Sequence, residues 1–213
     1  MRSEGMNAQV PHSPTSDDRP VRYVLIGDGE SPHLLKWAQT LHEVAGTALE
    51  LHVVSSRGLL AGFDNLIPAD RQLRLNTRPD AAGGNAALLL QLPRVVRWLR
   101  RVQPDVLHAH YLTSHGTLAW LAKVIGRVPG RLIGSAWGSD ILVTPERSWI
   151  LRQLTSAVLR ACEHCTSDSH HMAQLMRDMG AEQVAVFPFG LKELPPVGHD
   201  SPTTDSAADD HAG

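Results

Sequence analysis

The sequence alternates short apolar runs with amphipathic stretches, and that alternation limits the fold more than any other feature. Arg22-Tyr-Val-Leu-Ile-Gly27 is an apolar run ended by glycine, the pattern of a strand buried on both faces. Leu34, Leu35, Ala38, Leu41, Val44 and Ala45 then recur at helical spacing, with Ser31 placed to cap that helix and Pro32 at its first position. The pair of patterns repeats down the chain. Strands are predicted at 49–55, 105–111, 131–137, 164–167 and 184–187, with a short one at 73–76. Helices are predicted at 93–102, 117–125, 149–162 and 170–179. Strand and helix taking turns imply right-handed crossovers between parallel strands. The expected class is α/β: a doubly wound, mostly parallel, Rossmann-like sheet with helices on both faces.

The pattern stops short of both ends. Residues 11–20 are mostly Pro, Ser, Thr and Asp, and residues 192–213 hold one base, Lys192, against five acids. Such segments bury too little apolar surface to offset chain entropy. The sequence therefore divides into a disordered segment at 1–20, one folded domain at 21–191 and an acidic disordered tail at 192–213. The whole chain carries 20 basic and 22 acidic residues, which argues against a nucleic-acid partner held by bulk charge. No apolar run reaches the ~18 residues of a membrane span, and Met1 to Val10 has no apolar core of a secretory signal. Two cysteines make no disulfide framework. A cytoplasmic location is expected.

In an open parallel sheet, ligands sit beyond the carboxyl ends of the strands. That directs attention to Gly27-Asp-Gly-Glu-Ser31, Ser55-Ser56, residues 110–116, Trp137-Gly-Ser-Asp140, Ser167-Asp-Ser169 and Pro188-Phe-Gly190. The first of these is not a dinucleotide fingerprint. Gly27 and Gly29 fit its first two glycines, but the third position is Pro32, and Asp28 and Glu30 would repel a pyrophosphate. No P-loop is present, and Gly134-Ser-Ala-Trp-Gly138 has Ala136 where a nucleophile elbow needs serine. Cys162 and Cys165 fall where a helix ends and a strand begins, a place for two small buried residues. His108 and His110 share one face of a strand, but nothing nearby completes a metal site, so no metal is expected.

Asp140 follows a strand and a Trp-Gly turn. Its carboxylate either faces the crevice, where it accepts hydrogen bonds from sugar hydroxyls or takes a proton, or caps the next segment. Trp137 either stacks on a sugar ring or fills the interior. Arg94, Arg97 and Arg101 form one helical stripe. The stripe meets either solvent or an anionic membrane surface.

Taken together, five segments resemble the N-terminal domain of family 4 glycosyltransferases, retaining enzymes of the GT-B fold. They are Ile26-Gly-Asp-Gly-Glu-Ser-Pro-His-Leu34, Pro104-Asp-Val-Leu-His-Ala-His-Tyr111, Ser135-Ala-Trp-Gly-Ser-Asp-Ile-Leu142, Ser167-Asp-Ser-His-His-Met-Ala173 and Val186-Phe-Pro-Phe-Gly-Leu191. They occur in the family's order and spacing, over about 22–191. The likeness is greatest to the bacterial branch that builds surface polysaccharides and glycolipids. In that family this domain mainly binds the acceptor, while a second Rossmann-like domain binds the nucleotide sugar. The resemblance implies that Gly29, Glu30 and Ser31 lie near the donor phosphates and the acceptor. It implies that His110 lines the cleft, that Trp137, Gly138 and Asp140 face the reacting sugar, and that Ser169 borders the cleft.

There are departures from the family pattern. Trp137 stands where many members carry histidine, Asp28-Gly29 replaces a glycine pair, and Lys192 replaces the last acid of the closing motif. The donor domain's two glutamates, separated by seven residues, have no counterpart, since no two glutamates here stand eight positions apart. The expectation is therefore the acceptor-binding half of a retaining transferase, acting on a glycan or lipid-linked acceptor and inactive without a separate donor-binding domain. A nucleotide sugar would be a co-substrate only when that domain is supplied, and no catalytic base is assigned. A non-catalytic carbohydrate- or protein-binding module and a truncated gene product are the alternatives. Contact with an anionic membrane through Arg94, Arg97 and Arg101, at the inner face, goes with the first reading.

Overall fold

The computed structural model describes residues 19–77 and 86–187. The predicted disordered segment up to residue 18, the Pro188-Phe-Gly190 loop and the acidic tail lie outside the described residues. The chain forms one seven-stranded parallel sheet in the order β3-β2-β1-β4-β5-β6-β7. The strands are β1 Val21–Gly27, β2 Leu49–Ser55, β3 Gln72–Arg74, β4 Val106–His110, β5 Arg131–Ser135, β6 His164–Ser167 and β7 Val184–Val186. The helices are α1 Pro32–Ala45, α2 Ala86–Leu89, α3 Leu92–Val102, α4 Thr117–Val124, α5 Ser139–Leu142, α6 Thr144–Arg147, α7 Trp149–Ala161 and α8 His170–Asp178. The doubly wound expectation holds, and the predicted strands and long helices sit within a residue or two of their places. The short α2, α5 and α6 have no hydrophobic period to announce them, because four residues hardly exceed one helical turn.

Strand alternation divides the core in two. Val24, Ile26, Val54, Leu107, Ala109 and Leu132 point to one face, which α3, α4, α7 and α8 cover with residues such as Leu99, Leu118, Leu159 and Met176. Tyr23, Leu25, Leu51, Val53 and Val106 point to the other, where α1 supplies Leu34 and Ala38 and the 59–67 segment supplies Phe63 and Ile67. Each fully buried Leu or Ile contributes roughly 1.5–3 kcal/mol. The two faces are covered unequally, and the thinner one carries His108 and His110 on β4.

The strand order reverses between β1 and β4, which pair side by side in parallel, in register Tyr23↔Val106 to Ile26↔Ala109. At such a switch point the loops leaving the two strands diverge to opposite faces and open a crevice. The first loop after β1 and the turn after His110 therefore meet at the place where a ligand is expected. Cys162 and Cys165 are both buried. They pack beneath Gly134, where an added Cβ would lie 3.0 Å from Cys162 Sγ and 2.5 Å from a Leu112 methyl.

Candidate functional site

The site grows from β4. Its five residues, Val106 to His110, are all buried, and alternation turns both histidines to the α1 side, their rings 4.3 Å apart. His108 is held in a polar chain. Tyr23 Oη lies 2.9 Å from its Nδ1, Ser135 Oγ lies 2.7 Å from its Nε2, and Thr166 Oγ1 continues the chain 2.7 Å from Ser135 Oγ. Burial pushes the His108 imidazole down to about 3, so it is neutral at pH 7.

His110 is buried as deeply. Burial, reinforced by His108, His115 and His33, holds its ring well below the usual histidine range. The indole N–H of Trp137 donates to its Nδ1 at 3.2 Å. Nδ1 is therefore the acceptor and Nε2 carries the proton. That Nε2 is buried and has no hydrogen-bond partner among the described residues.

Trp137 stacks on His33 with ring centroids 4.6 Å apart and lies nearly parallel to His110 at 5.8 Å. Trp37, one helical turn beyond His33, sets its edge against His108 and His110. Tyr111 closes the group 6.4 Å from Trp137. Its φ is +66°, a left-handed conformation that is uncommon for a bulky side chain and collects at functional sites. It leads into one π-type turn, Leu112–Gly116. That turn buries His115, whose ring burial pushes down to about 4.

Asp140 turns its carboxylate inward, onto backbone amides. It is buried (1% exposed) and holds two backbone amides, with Leu112 N–H donating to Oδ2 at 2.9 Å and Trp137 N–H donating to Oδ1 at 3.0 Å. Burial raises its pKa and the backbone donors oppose the rise. Asp140 therefore ties the turn after β4 to the turn after β5 and fixes the backbone of Trp137. Gly138 supplies the sharp bend between them, with φ +109°.

The first loop is locked onto the loop after β2. Gly29 N–H donates to Ser55 Oγ at 2.9 Å, Glu30 N–H to Asp28 Oδ1 at 3.0 Å and Ser31 N–H to Asp28 O at 3.0 Å. All three amides are thus committed within the chain. Ser31 occupies the cap position of α1 without a side-chain cap bond. Arg57 bridges the loop's acids, 3.4 Å from Asp28 and 3.9 Å from Glu30. A Cβ on Gly29 would come within 2.4 Å of Leu59 Cδ2 and 2.5 Å of Gly58 O. Gly29→Val is therefore expected to unseat the loop and lower stability by about 1–3 kcal/mol. Urea unfolding checks this, and an unchanged midpoint would mean the loop is not locked.

Ser169 is the outlier. It caps α8, its hydroxyl accepting from Met172 N–H at 3.3 Å. Its neighbour Asp168 shares a narrow crevice with Trp37, Trp137 and Phe187. The structure thus gathers His110, Trp137, Gly138 and Asp140 around one point, sets Gly29, Glu30 and Ser31 beside it, and leaves Ser169 at the rim. Residue-by-residue reading missed His33, Trp37, Arg57 and Tyr111. The i, i+4 spacing of His33 and Trp37 was the available signal, since it places both on one helix face. Among the described residues no three His, Cys, Asp or Glu side chains converge as metal ligands.

Comparison with known proteins places this geometry. No curated protein sequence matches the chain. Among solved structures, the apo lipopolysaccharide outer core galactosyltransferase WaaB superposes with a TM-score of 0.52 at 10% identity, over 78% of this chain and 45% of that one. Sucrose-phosphate synthase from Thermosynechococcus elongatus gives 0.54 at 15%, over 80% and 90%. A Listeria monocytogenes protein described as a UDP-N-acetylglucosamine 2-epimerase gives 0.51 at 18%, over 76% and 42%. At these identities the likeness establishes the GT-B-type fold alone, and the chain spans less than half the length of WaaB and of the epimerase. The sequence model of the Glycosyl transferase 4-like family matches residues 22–169, a span that includes the first loop, the paired histidines and the Trp-Gly-Ser-Asp turn. The chain belongs to the glycosyl transferase 4-like family.

Proposed function

We propose that this chain is the acceptor-binding half of a retaining glycosyltransferase. It would receive a glycan or lipid-linked acceptor at the β1–β4 switch point and work with a donor-binding domain that holds the nucleotide sugar. The observation that carries this reading is the Trp137–His33 stack above His110. An aromatic pair supplies an apolar face for the C–H side of a sugar ring. Asp140 acts as a positioning residue that holds Trp137 rather than touching the sugar. With the first-loop amides committed, Arg57 is the cation that an anionic group at the cleft would meet. Departure of a nucleoside diphosphate needs further cations or dipoles, which supports a requirement for the donor domain.

Intrinsic fluorescence titration with a panel of soluble mono- and oligosaccharides, alongside a transfer assay with radiolabelled nucleotide sugars, tests the reading. Saccharide binding is expected to weaken about tenfold or more in Trp137→Ala and to be largely retained in Trp137→Phe, with no transfer by the chain alone. Transfer by the purified chain that Trp137→Ala leaves unchanged would refute it.

Attachment to an anionic membrane through α3 belongs to the same proposal. Arg94, Arg97 and Arg101 are exposed, with Leu90 and Ile125 exposed on neighbouring elements. No described helix is long and apolar enough to cross a membrane. The double variant Arg94→Glu/Arg97→Glu is expected to lower binding to phosphatidylglycerol vesicles severalfold, at ~1 kcal/mol per basic residue near the surface. Equal sedimentation of both proteins would leave the stripe a solvated face.

A further inference from the structure

A second pocket lies at the opposite end of the strands, where β1 and β2 begin. Its volume is about 460 Å³, and Arg22, Arg71 and Arg101 line it together with His52 and Trp98. The fold builds it from three elements. Arg22 and Glu50 are register partners on β1 and β2, and His52 follows Glu50 on the same face. From α3, Trp98 sets its ring edge-on to His52 at 5.8 Å, and Arg101, one turn further, reaches the rim. Arg71 comes from the turn before β3.

The polar groups of this pocket do not balance. Three guanidiniums face two carboxylates, Glu50 and Asp70. Arg22 donates to Val102 O at 3.2 Å and Arg71 stands 3.6 Å from Glu50 Oε2. Arg101 has no hydrogen-bond or ion-pair partner among the described residues. His52 places Nε2 2.8 Å from Glu50 Oε1. The hydrogen bond from His52 holds Glu50 below the usual carboxylate range, and burial holds His52 neutral, so Nε2 is the donor. Its Nδ1 is then a lone-pair acceptor, buried and without a partner among the described residues. The excess of guanidiniums leaves the site short of an anion. Guanidiniums match the geometry of phosphate oxygens, which take two N–H groups at once, and the pocket has the size of a small-ligand site.

We propose that this pocket binds a phosphate monoester, contributed by a phosphorylated sugar or by the headgroup of an anionic lipid. Arg71 and Arg101 hold the phosphoryl oxygens. The pocket shares no residue with the cleft site, so either of those assignments can fail without the other; it shares Arg101 with the basic stripe of α3.

Calorimetry on the full chain with inorganic phosphate and with glucose 6-phosphate tests the soluble source. Co-sedimentation with phosphatidylcholine vesicles, with and without phosphatidic acid, tests the lipid source. Arg101→Gln and Arg71→Gln, both at solvent-accessible guanidiniums, are each expected to weaken binding about tenfold, which corresponds to about 1.4 kcal/mol. Arg131→Gln, at the same end of the sheet but outside the pocket, should change nothing. Loss of glucose 6-phosphate binding in the two variants supports a soluble ligand. Loss of phosphatidic-acid binding in Arg71→Gln, with phosphatidylglycerol binding unchanged, supports a headgroup. Failure to bind any probe overturns the proposal, as does binding that Arg71→Gln and Arg101→Gln leave intact. Vesicle binding that falls in Arg94→Gln/Arg97→Gln but not in Arg71→Gln overturns the headgroup source, because surface charge then suffices.

Discussion

Taking the protein from pH 7 to pH 5 is expected to remove a large part of its stability. His108, His110 and His115 are buried and neutral, with ring pKa values depressed to about 3 for His108, well below the usual range for His110, and to about 4 for His115. Desolvation is the first cause in each. In the unfolded chain the same rings titrate near 6.5. Below that value the unfolded state binds protons that the folded state refuses, so stability is present above pH 6.5 and falls as the pH drops toward the folded values. At pH 5 the His108 and His115 rings each account for about 2 kcal/mol of lost stability. Together they give roughly 4 kcal/mol, against a typical total of about 5–15 kcal/mol, and His110 acts in the same direction. Asp140 opposes the trend, because its raised pKa makes the folded state easier to protonate than the unfolded one. Its single carboxyl offsets only part of the loss. Urea midpoints measured at pH 7, 6 and 5 should fall steeply, and His115→Gln should remove about one proton from the slope. Midpoints that stay level between pH 7 and 5 would mean the rings are hydrated and the β4 face is open.

The same histidines show how far the sequence carries a reader. Every strand of β4 type announces itself because burial on both faces demands an unbroken apolar run, and His-Ala-His in such a run stands out as costly. Period alone therefore located the sheet, its parallel sense and the crevice loops. It could not place Trp137 against His33, since that contact joins residues about a hundred positions apart, the first turn of α1 meeting the turn after β5. The direction of Asp140 was equally hidden. An Asp after a strand has two good uses, and the choice depends on whether free amides lie within reach. Here Leu112 and Trp137 offer theirs, a consequence of the π-type turn after Tyr111 that no hydrophobic period encodes. Arg22 and Glu50 read simply as polar starts of two strands, and only the register of β1 against β2 brings them to one pocket.

Replacing Asp140 should be the most damaging single substitution in the site. Asp140→Ala leaves Leu112 N–H and Trp137 N–H buried without an acceptor, and each costs about 1–3 kcal/mol. Together with the small void, the expected loss is about 3–5 kcal/mol, seen as a lower urea midpoint. Asp140→Asn separates two contributions. It removes the cost of burying a carboxylate, but it turns one acceptor oxygen into an amide that faces another N–H. The expected loss is smaller, about 1–3 kcal/mol, and the protein should remain folded. Its saccharide binding should nevertheless drop in step with Trp137→Ala, because the Trp137 backbone is no longer held. A direct sugar-binding role would give a different pattern, with binding lost at wild-type stability in Asp140→Asn. An Asp140→Ala protein as stable as wild type would remove the clamp altogether, and with it the reason for Trp137 to sit where it does.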